Sequence, residues 1–296
     1  MEPKLSRRAF GALALSTTVL TIPKLGLAMT QEYANPSLLA EPEDLAKTLS
    51  STPDVDFVLV DVRSREEYDA GHVPGARHLD PNAVVAKQSP VPGALQSFAD
   101  IEALLGNIGI SADRRIVFYD DRGGFHAARM LWLMEYMGHR DVAVLNGGWS
   151  SWLEVGGTAS TDPEPHDTAV YQAAVSPRRN ASAADVLNHR NASDAVLIDV
   201  RPTKMFDEGH VPWAVNIPWA KNLRENGRFR PTEELLAHFE ANGVTSENDV
   251  IMHCQNGLAS AHSYVALRLL GLPRVRVYHR SWAEWGSDPT LPKATS

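Results

Sequence analysis

The chain has 296 residues, about twice the usual single-domain length, so two domains are expected. Hydrophobic residues make up 44% and charged residues 22%, an ordinary globular balance with apolar material for two cores. A formal charge of −8 argues against nucleic acid as a partner, and the single cysteine, Cys254, excludes an internal disulfide and a multi-cysteine metal site.

Residues 1–28 differ from the rest. Lys4, Arg7 and Arg8 form a basic start, Ala9 to Leu20 a mildly apolar run, and Gly26-Leu27-Ala28 a small-residue cleavage site. Ser6-Arg7-Arg8-Ala9-Phe10 resembles the twin-arginine export signal. Pro23 and Lys24 interrupt the apolar run, which suits a cleaved signal better than an anchor. The expected partner of this segment is the export machinery, and the expected location is periplasmic, with no stable membrane anchor. Without residues 1–28 the chain carries 24 basic and 35 acidic residues, a net of −11.

Beyond that segment, short apolar runs at 57–60, 116–119, 196–199, 250–252 and 275–278 read as strands buried on both faces, because they do not alternate with polar residues. Between them the pattern predicts helices at Glu43–Leu49, Ala127–Met137, Thr232–Ala241 and Ala259–Leu270, several of them stopped by glycine. Strands separated by helices imply crossover connections, hence an α/β fold with mainly parallel sheets flanked by helices. Active sites of such folds lie beyond the carboxyl ends of the strands, where Cys254 falls.

The same segment occurs twice. Val58-Leu-Val-Asp61-Val-Arg63 through Gly71-His72-Val-Pro74 aligns with Val196-Leu-Ile-Asp199-Val-Arg201 through Gly209-His210-Val-Pro212, and eleven of nineteen positions over 58–76 and 196–214 are identical. A second block, at an offset of 134, pairs Ile116–Asp120 with Val250–Cys254 and Gly123 with Gly257; Trp149 and Trp152 then match Trp282 and Trp285 after a one-residue slip. Two copies of one domain are expected at 36–157 and 178–288, joined by a Pro-containing linker at 158–177.

Duplication separates scaffold from chemistry. Asp61, Arg63 and His72 have equivalents in Asp199, Arg201 and His210, so they read first as scaffold. Only the second copy has a cysteine, and the first has Asp120 in its place. Cys254-Gln255-Asn256-Gly257-Leu258-Ala259 follows a strand and precedes a helix, with Gly257 able to take positive φ. In such a turn the backbone N–H groups of Gln255 through Ala259 point inward around the sulfur, and the helix start adds partial positive charge. Both favour the thiolate, a nucleophile.

With these residues in place the chain resembles the tandem-domain rhodanese sulfurtransferases over nearly all of 36–288. The matching pieces are Asp-Val-Arg with Gly-His-Val-Pro in each half, Tyr119-Asp-Asp-Arg-Gly-Gly124, Leu145-Asn-Gly-Gly-Trp149, Cys254-Gln-Asn-Gly257 and Tyr278-His-Arg-Ser-Trp-Ala-Glu-Trp285. The resemblance implies an inactive first domain with Asp120 at the cysteine position. It also implies a catalytic second domain in which Cys254 takes sulfane sulfur as a persulfide, without metal or organic cofactor. The donor would be a small sulfur-containing anion such as thiosulfate, with 3-mercaptopyruvate as the alternative. The acceptor would be cyanide, a small thiol or a protein cysteine.

The loop departs from the family in its charge. Gln255 and Asn256 are neutral, an arginine common two residues past the loop glycine is replaced by Ala259, and the family's substrate-binding arginine falls at Met205. Arg201, Lys204 and Arg280 are the candidate anion-binding cations, Arg280 foremost, and Arg122 is a candidate from the first domain. His253 and His279 are candidates for tuning the charge. A cysteine phosphatase would need Cys-x5-Arg, and the arginine position is Ser260. A cysteine hydrolase would need a histidine base with no local signature here, and His253, Cys254 and His262 do not have standard metal-ligand spacing. The competing non-enzymatic reading is a sulfur carrier or partner-binding protein.

Overall fold

The computed structural model describes residues 32–51 and 56–296; the export segment expected at 1–28 lies outside the described residues. In the first half, β1 (Leu39–Ala40), α1 (Pro42–Ser51), β2 (Phe57–Asp61), α2 (Arg65–Ala70) and β3 (Ala76–His78) are followed by α3 (Phe98–Asn107), β4 (Arg115–Tyr119), α4 (Phe125–Tyr136), β5 (Val142–Leu145) and α5 (Gly148–Glu154). The second half has α6 (Ala183–His189), β6 (Ala195–Asp199), α7 (Thr203–Glu208), β7 (Val215–Asn216), α8 (Thr232–Glu240), β8 (Asp249–His253), α9 (Leu258–Leu269), β9 (Val275–Val277) and α10 (Ser281–Trp285).

Each half builds its own parallel sheet, in the order β1-β5-β4-β2-β3 and β7-β6-β8-β9. The duplication extends to the sheet edge: Asn180 makes a parallel bridge to Val277 where β1 pairs with β5 in the first half. β2, β4 and β8 are buried along nearly their whole length, as their unbroken apolar sequence requires of strands with helices on both faces. The β5 strand and α3 were not among the expected elements. They complete the first sheet and cover it.

On one side the two sheets share a core. One apolar cluster runs from Val58, Phe118, Met130 and Trp132 of the first half to Ile198, Met252, Tyr264 and Val265 of the second. Its centre is α4 against α9, both buried along most of their length. Smaller clusters behind each sheet hold Trp152 in the first half and Trp285 in the second. The connection at 158–177 has no helix or strand before Pro177, yet it is fastened to the first half. Ser160 pairs with His72, Ala169 donates to the Gly106 carbonyl, and Ala174 and Ser176 donate to Met137 and Tyr136. No helix among the described residues is long and apolar enough to cross a membrane.

Candidate active site

β8 lies between β6 and β9, and its last residue, His253, delivers Cys254 to the carboxyl edge of the sheet. The backbone of Cys254 is held on both sides. Its N–H donates to Ser281 Oγ at 3.0 Å, and its carbonyl accepts from the Trp282 N–H at 3.1 Å. One residue on, the Gln255 carbonyl accepts from the Ala283 N–H at 2.9 Å. The start of α10 thus clamps the beginning of the loop.

The turn closes at Gly257, which caps α9 with φ +87°. A side chain there would be strained by that φ and would collide with the His279 carbonyl oxygen. No side chain caps the helix, so its first N–H groups are left to serve the sulfur. Cys254 Sγ accepts from the Gly257 N–H at 3.1 Å, with Ser260 Oγ at 3.6 Å and Ser281 Oγ at 3.9 Å. The residue is 2% exposed. Of the expected cradle, Asn256 and Leu258 are half-buried and Ala259 is buried at the start of α9, while the Gln255 side chain is exposed.

The first half shows what this turn does with an anion. Asp120 sits at the cysteine position, and its carbonyl accepts from the Trp149 N–H at 2.8 Å as that of Cys254 accepts from Trp282. Its Oδ1 accepts from the N–H groups of Arg122 and Gly124 at 2.8 and 2.9 Å, and its Oδ2 from those of His126 and Ala127 at 2.6 and 3.0 Å. A buried carboxylate therefore fills a nest of four amides. The capping glycine is Gly124, with φ +89°, so Gly257 corresponds to Gly124 and not to Gly123 as the alignment suggested. The cysteine loop is one residue shorter, and the register slip lies inside it. On this correspondence Sγ takes the place of Oδ1, and the amides matching those on Oδ2 belong to Ala259 and Ser260.

The repeated residues form the scaffold in both halves. Arg201 grips Asp199 with Nε at 3.0 Å and Nη2 at 2.6 Å, and Nη2 also donates to the Gly209 carbonyl at 2.7 Å. Arg63 repeats these contacts with Asp61 and Gly71 at the same distances. Each guanidinium lies over a tryptophan ring, Trp149 or Trp282. Arg201, expected as an anion-binding candidate, instead spends Nε and Nη2 on a buried carboxylate and a carbonyl. His210 stacks on Phe206 and pairs with its carbonyl at 2.9 Å, as His72 does with Tyr68.

None of the other candidate cations makes a hydrogen bond to the sulfur among the described residues. Lys204 is exposed on α7, and Met205, at the family's arginine position, is 36% exposed beside it. Arg280 pairs with Glu284 at 2.9 Å and lines a cavity of about 350 Å³ with Phe98, Tyr136 and His279, while its Nε is buried without a partner. Arg122 is exposed above the first-half loop. Burial drives His253 below the ordinary imidazole range, opposed by the nearby Asp199 carboxylate. It drives His279 to about 3, helped by the positive charges of Arg129 and Arg280. Both are neutral rings at pH 7. Among the described residues no group of three or more His, Cys, Asp or Glu side chains could hold a metal ion.

One cation beside the loop had no signal in the motif. Arg129 reaches out of α4 in the first half, is 1% exposed, and donates from Nη1 to the Asn256 carbonyl at 3.0 Å. Its Nη2 donates to the Gly93 carbonyl at 2.7 Å. Gly93, with φ +82°, packs its backbone directly on Asn256 and leaves no room for a side chain. The first half thus roofs the cysteine loop.

These features coincide with a described family. The rhodanese-like domain matches the chain twice, over residues 41–155 and 182–288. The chain belongs to the rhodanese family. Among its relatives, thiosulfate sulfurtransferase from Pseudomonas aeruginosa is 35% identical over 274 residues, covering 88% of this chain and 98% of that protein. Sulfur carrier protein TtuD from Thermus thermophilus is 34% identical over 286 residues with the same coverage. The crystal structure of SseA from Escherichia coli, described as a 3-mercaptopyruvate sulfotransferase with the rhodanese fold, superposes with a TM-score of 0.76 at 27% identity, over 83% of this chain and 98% of that one.

Proposed function

We propose that this chain is a sulfurtransferase that moves sulfane sulfur from thiosulfate, or a related small anion, through a Cys254 persulfide to a thiophilic acceptor. The Cys254 thiolate attacks the outer sulfur of the donor; the donor S–S bond breaks, and sulfite leaves with the bonding pair. The outer persulfide sulfur then carries the negative charge. An acceptor such as cyanide or a thiol attacks that sulfur, and the Cys254 thiolate leaves, completing the cycle. No metal or organic cofactor enters either step. The first domain, which holds Asp120 in place of the cysteine, is non-catalytic in this reading, with 158–177 as the segment joining it to the catalytic domain.

The observation that carries the proposal is the Cys254 sulfur in an amide-lined turn whose twin holds a carboxylate in the same place. Fixed N–H groups stabilise charge on the outer sulfur without reorganising, the role electrostatics plays in such sites. On the twin's pattern the inner sulfur pairs with Gly257 and the outer one with Ala259 and Ser260. The test is thiocyanate formation from cyanide, with thiosulfate and 3-mercaptopyruvate side by side, on the native chain and on Cys254→Ser. Turnover that vanishes in the variant is expected, and the preferred donor names the subclass. Native rates no higher than those of the variant with either donor would sink the enzymatic reading.

A second reading has its own observation. The loop side chains are neutral and Arg280 is held by Glu284, so attraction for a small dianion is weak. A carrier that holds sulfur for a protein thiol fits this, in line with the carrier among its relatives. Incubation with thiosulfate followed by intact-mass measurement separates the two: a stable gain of one sulfur atom without turnover marks a carrier.

Export completes the proposal. The Ser6-Arg7-Arg8-Ala9-Phe10 segment directs the folded chain through the twin-arginine machinery, with cleavage after Ala28 and a periplasmic product free of a membrane anchor. Cell fractionation of the full-length chain should find the shortened protein in the periplasm, and replacing Arg7 and Arg8 by lysine should keep it cytoplasmic. An unprocessed native chain in the cytoplasm would refute this part.

A further inference from the structure

α4 and α9 are pseudo-equivalent helices packed across the domain interface, and the same position on each reaches into the other domain's loop. Arg129 and His262 both lie five residues past the capping glycines, Gly124 and Gly257. Arg129 Nη1 donates to the carbonyl of Asn256, the residue before Gly257, at 3.0 Å. His262 Nε2 donates to the carbonyl of Gly123, the residue before Gly124, at 3.1 Å. The two contacts are the same except for charge. Burial lowers His262 to about 4, so a neutral ring faces the loop that already contains the Asp120 carboxylate. A guanidinium faces the loop that contains the cysteine.

Arg129 is an unusual cation. Its hydrogen-bond acceptors are two carbonyl oxygens, its Nε is buried with no partner, and the opposing charge acting on it is that of Cys254. Burial lowers it, but only to about 10, so it remains charged at neutral pH. Two candidate cations flanking the loop are paired, and its two flanking histidines are neutral. Behind β8, Arg201 is paired with Asp199 and His253 is neutral; from the β9–α10 turn, Arg280 is paired with Glu284 and His279 is neutral. A buried positive charge with no carboxylate partner is costly to a folded protein, and its place against the cysteine loop, within reach of the charge on Cys254, gives it a use.

We propose that Arg129 is a positioning residue for sulfur transfer: the domain without a cysteine supplies the cation that balances thiolate and persulfide charge on Cys254 and pins the Asn256 carbonyl of its loop. Within the proposed cycle its charge is needed twice, when the thiolate attacks and when the persulfide waits for an acceptor. The geometry assigns the first domain a working part in the second domain's site.

The test is the rate of Cys254 alkylation by iodoacetamide between pH 5 and 10 in the full-length protein, for native, Arg129→Lys, Arg129→Gln and Arg129→Met, with circular dichroism as the folding control. Cys254 is the only cysteine, so the readout is unambiguous and does not require turnover. Removing the charge should raise the midpoint by about one pH unit, a roughly tenfold smaller thiolate fraction at a pH below it. Lysine should restore most of the native midpoint. The methionine variant keeps the test alive if glutamine unfolds the chain, because an apolar side chain tolerates the dry interface. A folded Gln or Met variant with the native midpoint would overturn the proposal, as would a lysine variant that behaves like them. Because thiocyanate turnover of the native chain is measured separately, failure here leaves the sulfurtransferase reading intact, and failure there leaves this result interpretable.

Discussion

Ser281 is buried behind Cys254 with φ +54°, the one non-glycine residue with positive φ among the described residues. At the equivalent place in the first domain, before Trp149, stands Gly148 with φ +60°. Glycine adopts that conformation freely, whereas serine pays about 1 kcal/mol or more. The serine hydroxyl compensates by accepting the Cys254 N–H at 3.0 Å while donating to the Tyr278 carbonyl at 2.8 Å. Ser281→Ala keeps the strain and leaves a buried N–H without a partner, so a loss of about 1–3 kcal/mol is expected. Ser281→Gly also loses the hydroxyl but relieves the strain, and should be the milder change. Urea midpoints of the two variants decide it; a glycine variant as unstable as the alanine one would contradict this account. Nothing in the residue type at 281 announces the strain, because a φ angle belongs to the folded chain.

Among the elements, the five expected strands lie within a residue or two of β2, β4, β6, β8 and β9, and the four expected helices within two or three residues of α1, α4, α8 and α9. Strands buried on both faces and helices stopped by glycine leave strong local signals. The one-residue slip in the cysteine loop was detectable only downstream, at the tryptophans, since alignment cannot tell which of two adjacent glycines caps a helix. Burial on α9 also controls protonation. His262 stacks on Phe229 and is removed from water, which holds it at about 4 in the folded chain against about 6.5 when unfolded. Between those values the unfolded chain binds a proton that the folded chain does not, so stability falls as pH drops from about 6.5 towards 4. Gln can still donate to the Gly123 carbonyl, and His262→Gln should therefore lose less melting temperature over that interval than the native protein. Parallel melting curves between pH 7 and 4 would show that His262 carries no such linkage.

On the scale of the whole molecule, the duplicated domains have become one machine with a shared core. The apolar cluster crosses the interface, Glu135 of α4 binds Arg268 of α9 at 2.9 Å, and Gly93 packs against the cysteine loop. Relative motion of the two domains would open that core, which sets them apart from loosely tethered modules. The sequence by itself determined the duplication, the parallel α/β architecture, the asymmetry between Asp120 and Cys254 and the turn that carries each, because all of these are written in residue type and local spacing. It also named cations near the motif, and there its reach ended: Arg201 is consumed by Asp199, and Arg280 by Glu284. Only the tertiary structure decided that a cation from the other domain reaches the cysteine loop. Arg129 and Asn256 are 127 residues apart in the chain, and what joins them is the packing of α4 on α9. Charge acts through space, and a spacing pattern records only neighbours along the backbone.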